Sequence, residues 1–309
     1  MIGPRALGLL LGVAADALTG DPHRGHPVAI FGQAAAKVEE HTYADSRAAG
    51  VGHVVATVGP VVALGVAAER LTRSSFWARA AVTALATWAV LGAASLRREA
   101  HLMANHLDAD DLAAARERVT HLCGRDPNAL DPAELARATV ESVAENTADA
   151  AVASLFWGAI AGVPGLLAHR AVNTLDAMVG SRSPRYENFG WASARLDDLL
   201  CLAPARFTGA LACTAAPLVG GDARRAWRIM LRDARNHPSP NGGWCESAFA
   251  GALGVQLGGT NVYAGRVEER GLLGDGPRPG AEHARKAGTL SAVVVAATAA
   301  LAVLVRRKR

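Results

Sequence analysis

Aromatic side chains make up only 5% of this 309-residue chain and charged ones 19%, while half of it is apolar. The shortage of aromatics argues against a base-stacking nucleic-acid surface. The basic excess, +4 overall, gathers at Arg97-Arg98, at Arg224-Arg225 with Arg228, Arg232 and Arg235, and at Arg306-Arg307-Lys308-Arg309. These clusters flank apolar runs, so they read as membrane-topology signals and no nucleic-acid partner is expected. The four cysteines (Cys123, Cys201, Cys213, Cys245) contain no CxxC pair, so their spacing supports neither a disulfide framework nor a zinc site. GxxxxGK[ST] is missing too, so any nucleotide is not held by a P-loop. No Ser-His-Asp spacing, internal repeat or low-complexity linker stands out.

What is present is a set of apolar runs. Residues 5–20 read as an uncleaved first membrane helix ending near Asp16. Residues 51–71 and 76–96 each approach the roughly 20 residues that cross a bilayer. The four-residue turn TRSS between them predicts a helical hairpin. Residues 288–305 form the cleanest span and stop at RRKR. Two further apolar runs contain breakers. Gly162, Pro164 and Gly165 interrupt 150–170, and Pro204, Arg206 and Pro217 interrupt 199–220. A proline inside a helix costs about 3 kcal/mol unless the freed groups find partners, so both runs are expected as broken or re-entrant segments. Residues 97–147 are polar with helical spacing, and 271–282 is the most flexible-looking loop. The expected fold is all-α: a multi-pass membrane helical bundle, one embedded domain over 1–309, with a helical cytoplasmic segment at 97–147. If the polar motifs share the cytoplasmic face, the last helix carries RRKR outside, against the positive-inside rule. The shared face is the stronger expectation.

Four blocks concentrate chemistry. GDPHRGHPVAIFG (20–32) places Asp21, His23 and His26 in a Pro-rich turn, where the histidines suit either metal or simple capping. In GRDPNALDPAEL, Asp131, Pro132 and Glu134 spell a capping box and predict a helix from about 132. That helix should carry Glu141, Glu145 and Asp149 on one slanted stripe into the next apolar run, with Asn146 beside them. Three close carboxylates suit Mg²⁺ bridging to phosphate; a solvated helix face is the plainer alternative. The third block, 173–206, gathers Asn173, Asp176, Arg195, Asp197, Asp198 and Arg206, fit for metal and phosphate or for internal salt bridges. The fourth, 236–265, contains SPNGGW, whose backbone N–H groups could wrap an anion, followed by a helix from about Glu246.

In order and spacing these blocks resemble the CobD/CbiB family, the adenosylcobinamide-phosphate synthases of cobalamin biosynthesis. The resemblance runs through GDPHRGHPV, GRDPNAL, ESVAENTAD, NTLDAMVG, YENFG, ARLDD, PAR, SPNGGW, LGG and YAG, along nearly the whole chain. The sequence departs from the family's habit at Ala177, Ser181 and Cys245. The resemblance implies a multi-pass cell-membrane enzyme. It would join a carboxylate of adenosylcobyric acid to (R)-1-amino-2-propanol or its O-phosphate, as an ATP-dependent ligase. On that reading Glu141, Glu145, Asp149, Asp197 and Asp198 hold Mg²⁺, and Arg195 and Arg206 clamp phosphate. Asp176 is the base for the incoming ammonium, while Asp21, His26, Asn146, Asn173 and Asn241 contact substrate. The same acids beside apolar helices also suit a Mg²⁺-dependent membrane prenyl- or phosphotransferase, and the broken helices suit a corrinoid transporter.

Overall fold

The computed structural model describes residues 2–22, 25–181, 183–263 and 266–306. His23 and three residues of the terminal basic cluster, Arg307, Lys308 and Arg309, lie outside them. In chain order the helices are α1 Pro4–Thr19, α2 Pro27–Thr42, α3 Arg47–Leu71, α4 Phe76–Val90, α5 Ala93–Asp108, α6 Leu112–Val119 and α7 Pro132–Thr147. They continue with α8 Ala153–Ala161, α9 Val163–Val179, α10 Trp191–Ala215, α11 Ala223–Asp233 and α12 Gly242–Leu253. A two-stranded antiparallel hairpin, β1 Leu257–Tyr263 and β2 Arg266–Leu273, precedes α13 Ala281–Arg306. Four stretches are long and apolar enough to cross a membrane: Arg47–Leu71, Phe76–Asp108, Trp191–Val219 and Ala281–Leu304. Val55, Leu64, Trp77 and Leu85 stand 63–73% exposed on the first two of them. Outward apolar surface of that kind belongs in lipid. The chain is an all-α membrane protein.

The chain divides into two compact units. The first comprises 1–92, 149–201 and 298–309; the second comprises 93–148 and 202–297. In the first, α1 packs on α4 and α3 on α9. Glycines permit both approaches. A Cβ on Gly8 or Gly12 would fall 2.5 or 2.4 Å from the Cβ of Thr83 or Thr87, and one on Gly65 would fall 2.9 Å from the Pro164 backbone. This is the small-residue packing by which helices associate in lipid, where no hydrophobic force drives them together. The predicted break falls where Gly162 adopts φ +73 between α8 and α9. Glu69 accepts the Val163 N–H at 3.1 Å and pairs with Arg5, so the buried start of α9 is capped by an acid from α3. Ala35, Val58, Ala171, Val172 and Leu175 form a core between α2, α3 and α9.

In the second unit α5, α6 and α7 enclose Met103, Ala115, Val119, Leu130, Leu135 and Ala138, and α11 packs on α12. The predicted capping box is present at Asp131 and Glu134, with Pro132 at the first position.

Several expectations need correction. The first helix forms but has 16 residues, about 24 Å at 1.5 Å per residue, short of a bilayer. The 76–96 helix stops at Val90 and restarts at Ala93, with the Gly92 N–H donated to Ala150 O at 3.3 Å. The stripe of three acids is not one regular helix face. Ala148–Val152 is a π-helical turn, so the four-residue register ends at Glu145 and Asp149 is re-aimed. Residues 199–215 are not interrupted. Pro204 removes the donor that would serve Leu200, and Trp157 Nε1 supplies one to Leu200 O at 2.9 Å instead, so α10 continues through the proline. The helix expected near Glu246 starts at Gly242. The hairpin itself was not foreseen, and it absorbs the beginning of the 271–282 loop.

Gly12→Val drives a side chain into Thr87 and should destabilise the chain by about 1–3 kcal/mol, lowering its thermal midpoint in detergent. Gly52→Ala, with nothing within 4 Å of its added Cβ, should leave that midpoint unchanged or raise it.

Candidate functional site

Among the described residues, each unit holds a polar centre built from the predicted acids. In the first, Asp21 and Asp149 both direct their charge at the half-buried Arg170 of α9. Arg170 Nη1 donates to Asn173 Oδ1 at 3.4 Å, and Asn173 Nδ2 donates to Asp197 Oδ1 at 3.3 Å. Asp176 and Asp198 add their fields at Asp197. Beyond Asp197 the chain of contacts passes to Cys201, whose thiol lies 3.9 Å from Asp197 Oδ2. It then passes to His169 Nε2, 3.5 Å from the sulfur, and to Ser154 Oγ, 2.9 Å from His169 Nδ1. A run of polar groups therefore crosses otherwise apolar helices, with neighbouring groups compensating its charges. Arg170 also borders a cavity of about 190 Å³ whose other walls are largely apolar, among them Phe31, Val61, Leu64, Val90 and Leu167.

Five predicted residues thus gather around Arg170 and Asn173 in this unit: Asp21, Asp149, Asp176, Asp197 and Asp198. Asn173 is the bridge among them. His26 caps α2, accepting the Val28 N–H on Nδ1 at 3.1 Å, while its Nε2 faces Asp21 at 3.5 Å. Arg195 is 67% exposed and only 4.0 Å from Asp198, which makes it a surface cation.

The second unit is organised by α7. Glu141 is buried and pairs with Arg125, and it accepts the Gly258 N–H at 2.7 Å. Arg137, one turn earlier, lies 3.6 Å from the same carboxylate and donates to Gly258 O and Thr260 O. Glu141 therefore ties α7 to the β-hairpin through Oε1 and to Arg125 through Oε2, so both oxygens are engaged. Glu145 is half-buried one turn later. It faces the Gly242 position, where an added Cβ would sit 3.4 Å from Glu145 Oε1 and 3.1 Å from the His237 ring. His237 Nε2 lies 3.2 Å from Glu246 Oε1, with both side chains buried. Ser239 N donates to His237 Nδ1 at 3.0 Å, so the ring proton belongs on Nε2, toward Glu246. Burial pushes the Glu246 carboxyl up to about 7; Glu141 and Glu145 add to the shift and His237 opposes it. Burial disfavours the His237 cation, but Glu246 outweighs that and holds the ring above its ordinary value.

Asn241 is buried at the start of α12. Most amides of the SPNGGW loop are already engaged within the loop. Asn241 N and Gly242 N donate to Ser239 Oγ at 3.2 and 3.1 Å, and Trp244 N donates to Asn241 O at 3.1 Å. Its glycines serve packing instead: a Cβ on Gly243 would meet Ala234 O at 2.1 Å. Asn146 donates to Ser142 O at 2.9 Å. Arg206 is exposed, with its guanidinium 4.8 Å above the Trp244 ring.

Sequence reasoning passed over Arg170, His169, Cys201, His237 and Glu246. His237 and Glu246 flank the SPNGGW block, so their nine-residue separation was a usable signal. Arg170 and His169 sit three and four residues before Asn173, on the face of α9 that Asn173 shares.

Because Glu246 titrates higher in the folded state than its ordinary 4.5, the native chain binds more protons between about pH 4.5 and 7. Stability should therefore fall as pH rises through that window, and the raised His237 acts in the same direction. Thermal midpoints measured from pH 4.5 to 8 should show this decline, with a flatter profile for Glu246→Gln.

Comparison with known proteins places the chain in a family. The family model described as CobD/Cbib protein matches residues 9–291. The chain is 53% identical over 306 residues to the cobalamin biosynthesis protein CobD of Mycobacterium tuberculosis, covering 99% of this chain and 97% of that one. The CobD proteins of Geobacter metallireducens and Rhodobacter capsulatus are 45% and 43% identical, covering 88% and 82% of this chain and 87% and 81% of theirs. No solved structure gives a significant match. The chain belongs to the CobD/CbiB family.

Proposed function

We propose that this chain forms the amide between a propionate carboxylate of adenosylcobyric acid and (R)-1-amino-2-propanol or its O-phosphate, at the expense of ATP. The observation that carries the reading is the full-length match to cobalamin biosynthesis proteins, 99% of this chain against 97% of the relative. It favours neither the prenyl- or phosphotransferase nor the transporter. We place the protein in the cell membrane, with its polar motifs on the cytoplasmic face where ATP is found.

The chemistry asks for three things. A carboxylate is a poor electrophile, so phosphoryl transfer from ATP must give it a leaving group. The amine arrives as an ammonium and must lose a proton. The phosphates need charge compensation. Asp176, half-buried, is the proposed proton acceptor. The hard oxygen donors that fit Mg²⁺ are the half-buried Asp149, Asp176 and Asp198 in the first unit and Glu145 in the second. Mg²⁺ would neutralise phosphate charge there. Glu141 is better supported as a positioning group, since its oxygens already serve Arg125 and Gly258, and Asp197, beside the Cys201 thiol, is less suited to a hard Mg²⁺ ion. The cavity beside Arg170 suits the small aminoalcohol far better than a corrinoid, and Arg170 would meet its phosphate. Arg195 and Arg206 can meet phosphate only from the solvent side.

Purified protein in membranes, given adenosylcobyric acid, Mg-ATP and either amine, should yield the new amide by mass only when ATP is present. Asp176→Asn and Glu145→Ala should lower its rate about 100-fold or more. Absence of the amide with every nucleotide tried would contradict the proposal.

A further inference from the structure

Inside the first unit, α9 and α10 bring a histidine, a carboxylate and a thiol together. Asp197 and Cys201 are four residues apart and so share one face of α10; His169 comes from α9. Their relative exposures are 9%, 1% and 1%. One ligand atom from each lies within 4.8 Å of the other two. His169 Nε2 is 3.5 Å from Cys201 Sγ, and Cys201 Sγ is 3.9 Å from Asp197 Oδ2. A tetrahedral ion with bonds of about 2.0–2.3 Å to nitrogen, oxygen and sulfur sets its neighbouring ligands about 3.3–3.8 Å apart. The His169–Cys201 and Cys201–Asp197 pairs already stand near that spacing, and His169 and Asp197 lie within 4.8 Å of each other.

The surrounding groups fix the lone pairs that a metal would use. Ser154 Oγ lies 2.9 Å from His169 Nδ1 and can accept a hydrogen bond from its N–H, leaving the Nε2 lone pair toward Cys201. Asn173 Nδ2 holds Asp197 Oδ1 at 3.3 Å, leaving Oδ2 toward the sulfur. Histidine and carboxylate ligands oriented through their distal atoms are the usual outer shell of a metal site. Charge also balances. A divalent ion with one carboxylate, one thiolate and one neutral imidazole is neutral, and neutrality is what a buried site requires.

We propose that His169, Asp197 and Cys201 form a binding site for a zinc-class divalent ion, with a fourth position open to an oxygen ligand. Binding forms the metal–sulfur bond as the Cys201 S–H bond breaks, and the proton leaves to solvent. The thiolate selects against Mg²⁺, which takes oxygen ligands in octahedral array. The site is therefore distinct from any Mg²⁺ used with ATP, and it stands whether or not the amide-forming reading holds.

The test uses the untagged full chain in detergent, stripped with a chelator, dialysed, and titrated with Zn²⁺ or Co²⁺. Wild type should retain about one equivalent of Zn²⁺ by elemental analysis in the presence of excess Mg²⁺. The Co²⁺ form should show thiolate-to-cobalt charge-transfer absorption. Cys201→Ser and His169→Gln should weaken binding by about 100-fold or more, and Ser154→Ala by about 10-fold. Zinc retention equal in wild type and both ligand variants, or no retention at all, would overturn the site. So would a cobalt spectrum without a thiolate band, or a band that persists in Cys201→Ser. If a variant fails to fold, the wild-type spectrum and a Zn²⁺-dependent rise in thermal midpoint decide: both present support the site, and either absent overturns it.

Discussion

The carboxylate of Glu141 is buried among apolar helices, and the second unit's polar centre is arranged around how that charge is compensated. Removing one partner of a buried ion pair typically costs about 3–5 kcal/mol, because the other is left charged and dry. Arg125, Arg137 and the Gly258 amide all converge on Glu141. The capping box starts α7, and this clamp fixes its far half against the hairpin. Glu145, one turn on, is thereby presented to His237 and Glu246. An acid that looks like a ligand in sequence is a brace in the fold, and the less encumbered acid is its neighbour.

The first unit solves the same problem with a longer relay. Asp21 and Asp149 come from distant points of the chain and share Arg170 as counter-charge. Asn173, with one donor and one acceptor group, links that cation to Asp197. The amide is suited to this position because it bonds a cation on one side and an anion on the other while adding no charge. Polar groups held this way within apolar helices stabilise little for their cost; their retention fits a functional role.

Local signals were the legible part. The capping box at Asp131, the TRSS turn and the Gly162–Pro164 break depend on a few adjacent residues, and each appears where the spacing put it. The unread parts depend on partners far away in sequence. Pro204 looks like a breaker until Trp157 supplies the missing donor 43 residues earlier in register with Leu200. The π-helical turn at Ala148–Val152 has no compositional mark. SPNGGW looks like an anion nest until Ser239 is seen taking its amides. The hairpin 257–273 contains charged and glycine residues without clean alternation, and part of its anchoring comes from the carboxylate of Glu141. Of the site, the acids other than Glu246, and Asn173, were named from sequence. Their cationic and imidazole counterparts Arg170, His169 and His237 were not, because an isolated basic residue carries no pattern of its own.

Membership of the family and the placement of acids beside apolar helices are compatible with ion pairing or with metal as the force that holds Glu141. The direct measurement is a double-mutant cycle on Glu141 and Arg125, using Glu141→Gln, Arg125→Gln and the pair, read by unfolding in detergent with and without Mg²⁺. The account predicts a coupling of at least about 1.5 kcal/mol that Mg²⁺ does not change. Additivity within about 0.5 kcal/mol, with a Mg²⁺-dependent stability that Glu141→Gln abolishes, would contradict it and return Glu141 to the metal.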